Sequence, residues 1–215
     1  TGFTSYRENL GSLDNKGIEA RLRLNLLRGD RDGWNWNVTL SAAHEQDKIR
    51  KLSNAMRAMN EQELNIENNT DSTSVFKMYE VGRSQNALML VKSLGIDPAT
   101  GNEVYVKRDG STTFDYDPND RVEVGNTTPK LQGFMNTNLS WNHIELYMSF
   151  NYEMGAKLYN STLATKVEGA SPYQNADKRV LYDRWKEPGD IAMFRRIDDQ
   201  SSVYQSSRLV QKSNF

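Results

Sequence analysis

An acidic loop near the middle of the chain is the first stretch whose residue types and spacing could bind an ion. Asp115, Asp117 and Asp120 bring carboxylate oxygens close together, as a calcium loop does. The match to an EF-hand is incomplete, because its sixth position, normally glycine, is Asp120, and its twelfth, normally glutamate, is Asn126. Pro118 also stiffens the segment. We therefore expect a solvated turn and no cofactor, with calcium at the three aspartates as the alternative.

Paired carboxylates such as Asp115 and Asp117 could also act as the acid and the base of a glycosidase. Carboxylates this common in polar loops are usually solvated, so we expect no catalytic residue and no enzymatic activity. The chain has no cysteine, which excludes a disulfide framework and a Cys-based metal site. Its two histidines are His44 and His143, and so small a number argues against a His-rich metal site.

Arg184 and Trp185 form a second candidate site, because arginine and tryptophan are enriched at interface hot spots. The segment from Val180 to Trp185 is predicted to be a short helix that Pro188 and Gly189 end. We interpret Arg184 and Trp185 either as contacts for a ligand or partner, or as residues that hold their loop against the strands described next.

The elements that must position such residues are two long stretches of alternating polarity. Apolar and polar side chains alternate from Ile18 to Leu26 and again from Trp34 to Ala42. A period of two indicates a strand, because successive side chains point to opposite faces. The short polar segment from Arg28 to Gly33 lies between the two stretches and predicts an antiparallel hairpin.

Each alternating stretch has about nine to eleven residues, which exceeds the five or six residues usual in soluble strands. A tilted strand of about this length crosses the hydrocarbon core of a membrane. Trp34 and Trp36 lie next to the turn and fit an aromatic girdle at one membrane interface. From this hairpin alone, a membrane barrel and a long hairpin of a soluble sandwich both remain open.

A second hairpin favours the barrel. The residues from Met135 to Trp141 alternate, Asn142 and His143 make a tight turn, and alternation resumes from Ile144 to Tyr152. Short turns therefore recur at one end and long irregular connections at the other, as in outer-membrane barrels. We predict an all-β fold, namely an antiparallel transmembrane β-barrel segment with long extracellular loops that contain short helices.

Secondary structure is also predicted for segments outside the two hairpins. Leu52 and Met56 fall at helical spacing within the stretch from Lys48 to Glu67, which predicts an amphipathic helix. The polar segment from Thr1 to Lys16 is predicted to be a connection into the first hairpin, and Glu103 to Val106 a short strand.

The composition of the 215 residues agrees with a chain that does not build a large core of its own. Apolar residues make up 37% and the mean hydropathy is -0.76, a lower apolar share than globular domains usually have. The net charge of -1 does not indicate a nucleic-acid-binding protein. No run approaches eighteen apolar residues, so no transmembrane helix is predicted. Since no signal peptide and no initial methionine are present, we expect a segment of a longer protein.

The alternation divides the strand residues into a lipid-facing and a lumen-facing set. An arginine on the lipid side costs about 2–4 kcal/mol at mid-membrane, so Arg21 and Arg23 identify the lumenal face. The predicted lipid-facing residues are Ile18, Leu22, Leu24, Leu26, Trp36, Val38, Leu40, Leu139, Leu146, Met148 and Phe150. The predicted lumen-facing residues are Glu19, Arg21, Arg23, Asn25, Asn35, Asn37, Thr39, Asn136, Asn138, Glu145, Tyr147 and Asn151. The predicted substrate contacts are Arg21, Arg23, Asn35, Asn37 and Tyr147 in the lumen, and Arg184 and Trp185 in a loop.

Several short motifs follow one another in a distinctive order along nearly the whole chain. They include Asn15-Lys16-Gly17-Ile18-Glu19, Glu80-Val81-Gly82-Arg83-Ser84, Gly95-Ile96-Asp97-Pro98-Ala99-Thr100-Gly101, Asp183-Arg184-Trp185-Lys186-Glu187-Pro188-Gly189-Asp190 and Ser206-Ser207-Arg208-Leu209-Val210. In this order they resemble the SusC/RagA family of TonB-dependent outer-membrane transporters of Bacteroidetes.

The resemblance implies a large barrel, of about 22 strands in plugged outer-membrane transporters. Residues 1–215 would be part of its later portion, with the plug domain, the TonB box and the closing strands absent. It further implies import of glycans or peptides across the cell outer membrane, driven through TonB. The implied partners are a SusD-like surface lipoprotein, TonB through the missing N-terminal part, outer-membrane lipid and the cargo, but no nucleic acid.

A soluble all-β carbohydrate-binding module is the alternative function. Trp34, Trp36, Trp141 and Tyr147 would then bind a sugar. Such a module should be soluble without detergent, whereas a barrel segment should not.

Overall fold

The computed structural model describes residues 11–30, 32–69, 78–170, 173, 175, 177–197 and 206–214, and only the main chain of residues 64–69. The strands are β1 (Gly11–Arg28), β2 (Trp34–Leu52), β3 (Ala87–Ile96), β4 (Glu103–Val106), β5 (Thr112–Thr113), β6 (Arg121–Asn126), β7 (Leu131–Trp141), β8 (Ile144–Met154), β9 (Ala156–Tyr159) and β10 (Val210–Ser213). The helical elements are α1 (Asn54–Asn69), α2 (Arg179–Tyr182), a π-helix (Leu163–Glu168) and 3-10 turns at Pro118–Asp120 and Ser207–Leu209. In the described part of the chain, no helix is both long and apolar enough to cross a membrane.

Four strands form one antiparallel sheet in the order β1-β2-β7-β8, which we call the long sheet. The turn after Arg28 joins β1 to β2, and Asn142 and His143 join β7 to β8, which confirms both predicted hairpins. The long connection from Ser53 to Lys130 separates β2 from β7, although these strands pair. Short turns thus lie at one end of the sheet and the long connection at the other, as predicted.

The strands β1 and β2 are longer than predicted, with 18 and 19 residues, and they pair along almost their whole length. The interpretation of residues 11–16 as a connection is therefore wrong, because they belong to β1. The helix predicted from Lys48 to Glu67 begins only at Asn54, because the preceding residues extend β2. Residues 1–10 of the predicted connection lie outside the described residues. At these ends of β1 and β2 the main chains pair although most side chains, such as those of Asp14 and Lys48, are polar, so no period of two marks these residues as strands.

Strand register places the predicted apolar and polar side chains on opposite faces of the long sheet. Neighbours across the four strands are Leu22, Leu40, Met135 and Phe150 on one face, and Arg23, Thr39, Asn136 and Ser149 on the other. The large apolar side chains are exposed, Ile18 over 75% and Phe150 over 51% of its surface. Within the described residues, the long sheet therefore lacks the second layer that buries the inner face of a soluble sandwich.

A β-bulge near the first turn changes one predicted face. Asn25 pairs with Asn37, but the next pair is Leu27 with Trp36, so Leu26 is an inserted residue. Leu27 consequently takes the place on the apolar face that was predicted for Leu26.

The remaining described residues form what we call the loop body, at the end of the long sheet opposite the short turns. It contains a sheet of order β5-β4-β3-β6 and the strand pair β9-β10. The buried apolar side chains of this body include Leu88, Met89, Leu90, Val91, Leu163, Val167, Phe194 and Leu209. The connections between the long strands, and not the long strands themselves, thus build the packed core.

Asp47 and Ile49, both buried near the end of β2, connect the long sheet to the loop body. The carboxylate of Asp47 accepts a hydrogen bond of 2.5 Å from the Ser84 hydroxyl. Ile49 exchanges main-chain hydrogen bonds of 2.8 Å with Gly82 and Arg83. The extra length of β2 therefore connects the loop body to the end of the long sheet.

Candidate functional site

The polar face of the long sheet carries most of the predicted substrate contacts. Register places Arg21, Arg23, Asn35, Asn37 and Tyr147 on this one face. Asn37 and Tyr147 also share a row across the sheet with the two further amide residues Asn25 and Asn138. Each of the four strands thus contributes an amide or phenol group to the same level of the surface.

Side-chain hydrogen bonds order part of this polar face. The Asn138 amide donates to a carboxylate oxygen of Glu145 at 2.7 Å, and the Ser149 hydroxyl donates to the Asn136 amide oxygen at 2.7 Å. Asparagine side chains offer both donors and acceptors, so such a surface can hydrogen-bond the hydroxyl or amide groups of a ligand.

Aromatic residues gather on the opposite, apolar face beside the short turns. The rings of Trp34 and Trp141 stack at 5.2 Å with an interplanar angle of 8°. The indole N–H of Trp36 donates to the Thr137 hydroxyl at 2.8 Å. Aromatic side chains with an apolar ring and a hydrogen-bonded polar group are typical of the aromatic girdle at a membrane interface. Because Trp34 and Trp141 each cover one face of the other, part of the ring surface that would stack on a sugar is already used.

Arg184 lies inside the loop body, where it is buried. Its guanidinium donates to the main-chain carbonyls of Val167 at 2.5 Å, Val180 at 3.0 Å and Arg195 at 3.1 Å. Burial lowers the pKa of Arg184, and the charge of Glu168 opposes this shift. These bonds give Arg184 an anchoring role within the loop body, not between a loop and the long strands. Contact with a ligand stays a prediction.

Trp185 is also buried and joins two segments of the loop body. Its indole N–H donates to the Pro98 carbonyl at 2.9 Å. Its ring covers Gly101 so closely that a Cβ at this glycine would lie 2.6 Å from the indole. Trp185 therefore brings together two of the short motifs that carry the family resemblance.

The three aspartates of the acidic loop do not converge. Asp117 caps the 3-10 turn by accepting the main-chain N–H of Asn119 at 2.8 Å, and Asp120 accepts the N–H of Arg108 at 3.0 Å. Among the described residues, no group of three or more His, Cys, Asp or Glu side chains could hold a metal ion, so Asp115 does not complete such a group. Two of the carboxylates thus stabilise the turn, and calcium binding stays a prediction.

Four charged residues that no sequence pattern indicates form a buried ionic network in the loop body. Arg208 contacts Glu103 at 3.0 Å and Glu168 at 2.7 Å, and Arg195 contacts Glu168 at 3.0 Å. Each of these side chains exposes 7% of its surface or less. The Ser206 hydroxyl donates to the second oxygen of Glu103 at 2.5 Å. Two positive and two negative charges balance, which makes their burial tolerable.

The network shifts the pKa of its members. Burial raises the pKa of Glu103, but the charge of Arg208 and hydrogen bonds from Arg208 and Ser206 outweigh burial, so this pKa lies below its usual value. Burial lowers the pKa of Arg208, but the charges of Glu103 and Glu168 raise it above the usual value. Only Arg208 lies in a motif of the resemblance; the other members come from separate elements that the fold brings together.

The segment around α2 displays exposed apolar side chains, which we call the α2 surface. Leu181, Tyr182, Ile191 and Ile197 expose 61%, 74%, 96% and 61% of their surfaces. Leu181 and Ile197 line an open cavity of about 340 Å³, and Tyr182 and Ile191 line another of about 940 Å³. Exposed apolar patches of this kind mark sites of interaction.

Comparison with known proteins agrees with this architecture. No family model matches the chain. TonB-dependent receptor P26 of Formosa agariphila is 31% identical over 172 residues, covering 74% of this chain. TonB-dependent receptor P39 of the same organism is 19% identical over 245 residues, covering 96%. The chain spans only 17% and 23% of the lengths of these curated relatives.

Solved structures show the same fold. The RagAB peptide transporter matches 99% of this chain with a TM-score of 0.74 at 20% identity, and the match covers 23% of that chain. The RagAB peptide importer in the closed-closed state matches 99% with a TM-score of 0.73 at 21% identity, again over 23% of that chain. The curated relatives are TonB-dependent receptors, in agreement with the resemblance that the motifs indicate, and the solved structures share the fold of this chain.

Proposed function

We propose that this chain, a segment of a SusC/RagA-type TonB-dependent transporter, forms barrel wall and extracellular loops of a protein that imports a nutrient across the outer membrane. The observation that carries the proposal is the long sheet, whose apolar face is exposed on all four strands while its opposite face is polar. A soluble protein would cover such a face, whereas a barrel exposes it to lipid. We propose a glycan or a peptide as the cargo.

The strand lengths support this placement. The strands β7 and β8 have 11 residues each, about the length that crosses the hydrocarbon core. The strands β1 and β2 exceed that length on the side of the loop body, so they would extend beyond the membrane. We place the loop body outside the cell and the short turns in the periplasm, as in other outer-membrane barrels.

The free edges of the long sheet imply further strands. One edge of β1 and one edge of β8 have no partner among the described strands of this sheet. In lipid, each unpaired main-chain group costs several kcal/mol, so other strands of the complete protein must pair there. We propose that residues 1–215 are part of the barrel, and that the plug domain, the TonB box and the closing strands belong to the remainder.

The chain's relatives are TonB-dependent receptors, so we assign it to transport and not to catalysis. The proposed energy source is TonB, reached through the remainder of the complete protein. The proposed partner is a SusD-like surface lipoprotein. The α2 surface, which we place on the extracellular side, supports such a partner. Contact with a protein would remove the exposed apolar side chains of Leu181, Tyr182 and Ile191 from water.

Membrane fractionation of the complete protein tests the central proposal. The tagged protein should be in the outer-membrane fraction, should require detergent for extraction, and should migrate differently in electrophoresis before and after boiling, as folded barrels do. A water-soluble, folded protein would contradict the barrel and would favour the carbohydrate-binding module, which a glycan-binding screen would then examine.

Co-purification tests the partner. Ile191→Glu places a charge on the α2 surface and should reduce recovery of the lipoprotein with the tagged transporter. Leu94→Glu is the matched control, since Leu94 is also an exposed apolar residue of the loop body (64%) but does not line the α2 cavities. Equal recovery with both variants would exclude the α2 surface as the docking site.

A further inference from the structure

The polar face of the long sheet has an order of charges that alternation alone does not predict. The row containing Glu19 and Glu153 lies toward the loop body. Arg21 occupies the next row and Arg23 the one after it. The following row, at the level of Asn25, is uncharged on all four strands. Two arginines thus form a basic band between an acidic row and an amide row.

The cross-strand neighbours of the two arginines are uncharged. Arg21 lies opposite Ser41, and its guanidinium lies 5.3 Å from the centre of the Phe134 ring. Arg23 lies opposite Thr39, and Asn136 follows in the same row. No ion pair to either arginine is found among the described residues, whereas Arg50 pairs with Asp14 at 2.6 Å in the same hairpin.

The spacing of the arginines suits an anionic group. Alternate residues of one strand lie about 6.6–6.8 Å apart along its axis and point to the same face. Two guanidinium groups at this distance can both donate hydrogen bonds to one extended ligand, and carboxylates match their planar donor geometry. The cation–π contact with Phe134 restricts Arg21, so less conformational freedom of this side chain is lost when a ligand binds.

We propose that Arg21 and Arg23 bind carboxylate groups of the cargo as it passes the barrel wall. This inference rests on the proposed function and adds to it a preference for acidic cargo. The carboxylate can belong to an acidic peptide or to a glycan that contains uronic acid. Asn136 and the Ser41 hydroxyl lie beside the arginines and supply neutral hydrogen-bonding groups.

The test measures binding to the complete transporter in detergent by fluorescence anisotropy. The probes are fluorescein-labelled oligoglutamate, its oligoglutamine counterpart and labelled oligogalacturonate. The wild type should bind oligoglutamate, oligogalacturonate or both about tenfold more tightly than oligoglutamine. Because charges in a water-filled lumen are screened, the preference should shrink at about 0.5 M salt. The acidic probe that binds more tightly identifies the source of the carboxylate.

Variants assign the preference to the two arginines. The double glutamine variant, Arg21→Gln with Arg23→Gln, should lose most of the tenfold preference for the acidic probe. The double lysine variant, Arg21→Lys with Arg23→Lys, should keep part of this preference. The control variant Arg50→Gln should keep all of it. Equal binding of the acidic and neutral probes by the wild type would overturn the inference. So would an unchanged preference in the double glutamine variant.

A second outcome separates cargo binding from contacts within the transporter. If the double glutamine variant lowers the thermal stability of the barrel and leaves probe binding unchanged, the arginines pair with another part of the complete protein, and the inference fails. That result leaves the outer-membrane location intact. A protein that fractionates as water-soluble would instead contradict the proposed function itself.

Discussion

Arg208 and Glu103 lie 105 positions apart in the sequence and form a buried ion pair of 3.0 Å between β4 and the 3-10 turn that precedes β10. The same guanidinium contacts Glu168 at the end of the π-helix. One side chain thus joins three distant segments of the loop body. Its ion pairs hold these three connections together within the loop body.

Removal of Arg208 should destabilise the loop body strongly. Arg208→Met keeps much of the volume but leaves Glu103 and Glu168 buried with one cation fewer, which costs about 3–5 kcal/mol for a broken buried pair. Amide hydrogen exchange in the complete transporter should show lost protection in β3 and β4. Arg50→Met is the control, because Arg50 and Asp14 form an exposed pair worth about 1 kcal/mol at most. Comparable losses in both variants would contradict a special role for the network.

The stability of the loop body should depend on pH below the usual carboxyl range. The pKa of Glu103 lies below its unfolded value, so its ionised form contributes stability above the unfolded pKa. This contribution should disappear as pH falls through the folded pKa, since the unfolded chain then binds more protons. Amide exchange of β3, corrected for the intrinsic rate, should report the loss.

Two variants isolate the part of this pH dependence that belongs to Glu103. Glu103→Gln should be less stable at neutral pH and should lose the part of the acid transition that Glu103 causes. Asp177→Asn should leave the transition in β3 unchanged, because Asp177, whose pKa a hydrogen bond from Arg179 lowers to about 2, is a half-buried residue of another segment. An acid transition that persists in full in Glu103→Gln would refute the assignment.

Gly101→Ala should destabilise the contact between the loop at Asp97 and Trp185. A methyl group at this position would lie 2.6 Å from the indole, and the backbone has a φ of +75° that alanine adopts poorly. Gly110 has a similar φ of +88° but open space around it, so Gly110→Ala reports the backbone cost alone. Gly101→Ala should therefore lower the thermal stability more than Gly110→Ala, and Trp185 fluorescence should shift only in the former. Equal effects would mean that the steric contact is unimportant.

The long sheet could be predicted from the sequence because membrane and lumen impose opposite polarity on neighbouring residues. Leu22 and Arg23 fall on opposite faces in the prediction and in the structure. The bulge that replaces Leu26 by Leu27 escaped prediction, since both residues are leucine and no period distinguishes them. The ends of β1 and β2 were missed because pairs such as Asp14 with Lys48 are polar.

The predicted strand from Glu103 to Val106 is confirmed as β4, but most of the loop body could not be predicted in this way. Its central strand β3 includes the continuously buried run from Leu88 to Val91, and a buried run of this kind has no alternation to read. The ionic partners of Arg208 lie in other elements, and a charged residue in a sequence normally indicates an exposed one. Arg184 and Trp185 were predicted to contact a ligand or partner or to hold their loop against the long strands, and the structure places both inside the loop body.

Charge placed on either face of the long sheet should distinguish lipid from lumen. Leu24 lies on the apolar face, and Leu24→Arg should cost about 2–4 kcal/mol near mid-membrane. Asn37→Arg is the matched control, because Asn37 lies on the polar face of β2, next to Val38, the partner of Leu24. In outer membranes, the heat-modifiable folded fraction should fall for Leu24→Arg and remain near the wild-type level for Asn37→Arg. If Leu24→Arg inserts as well as the wild type, the apolar face does not contact lipid.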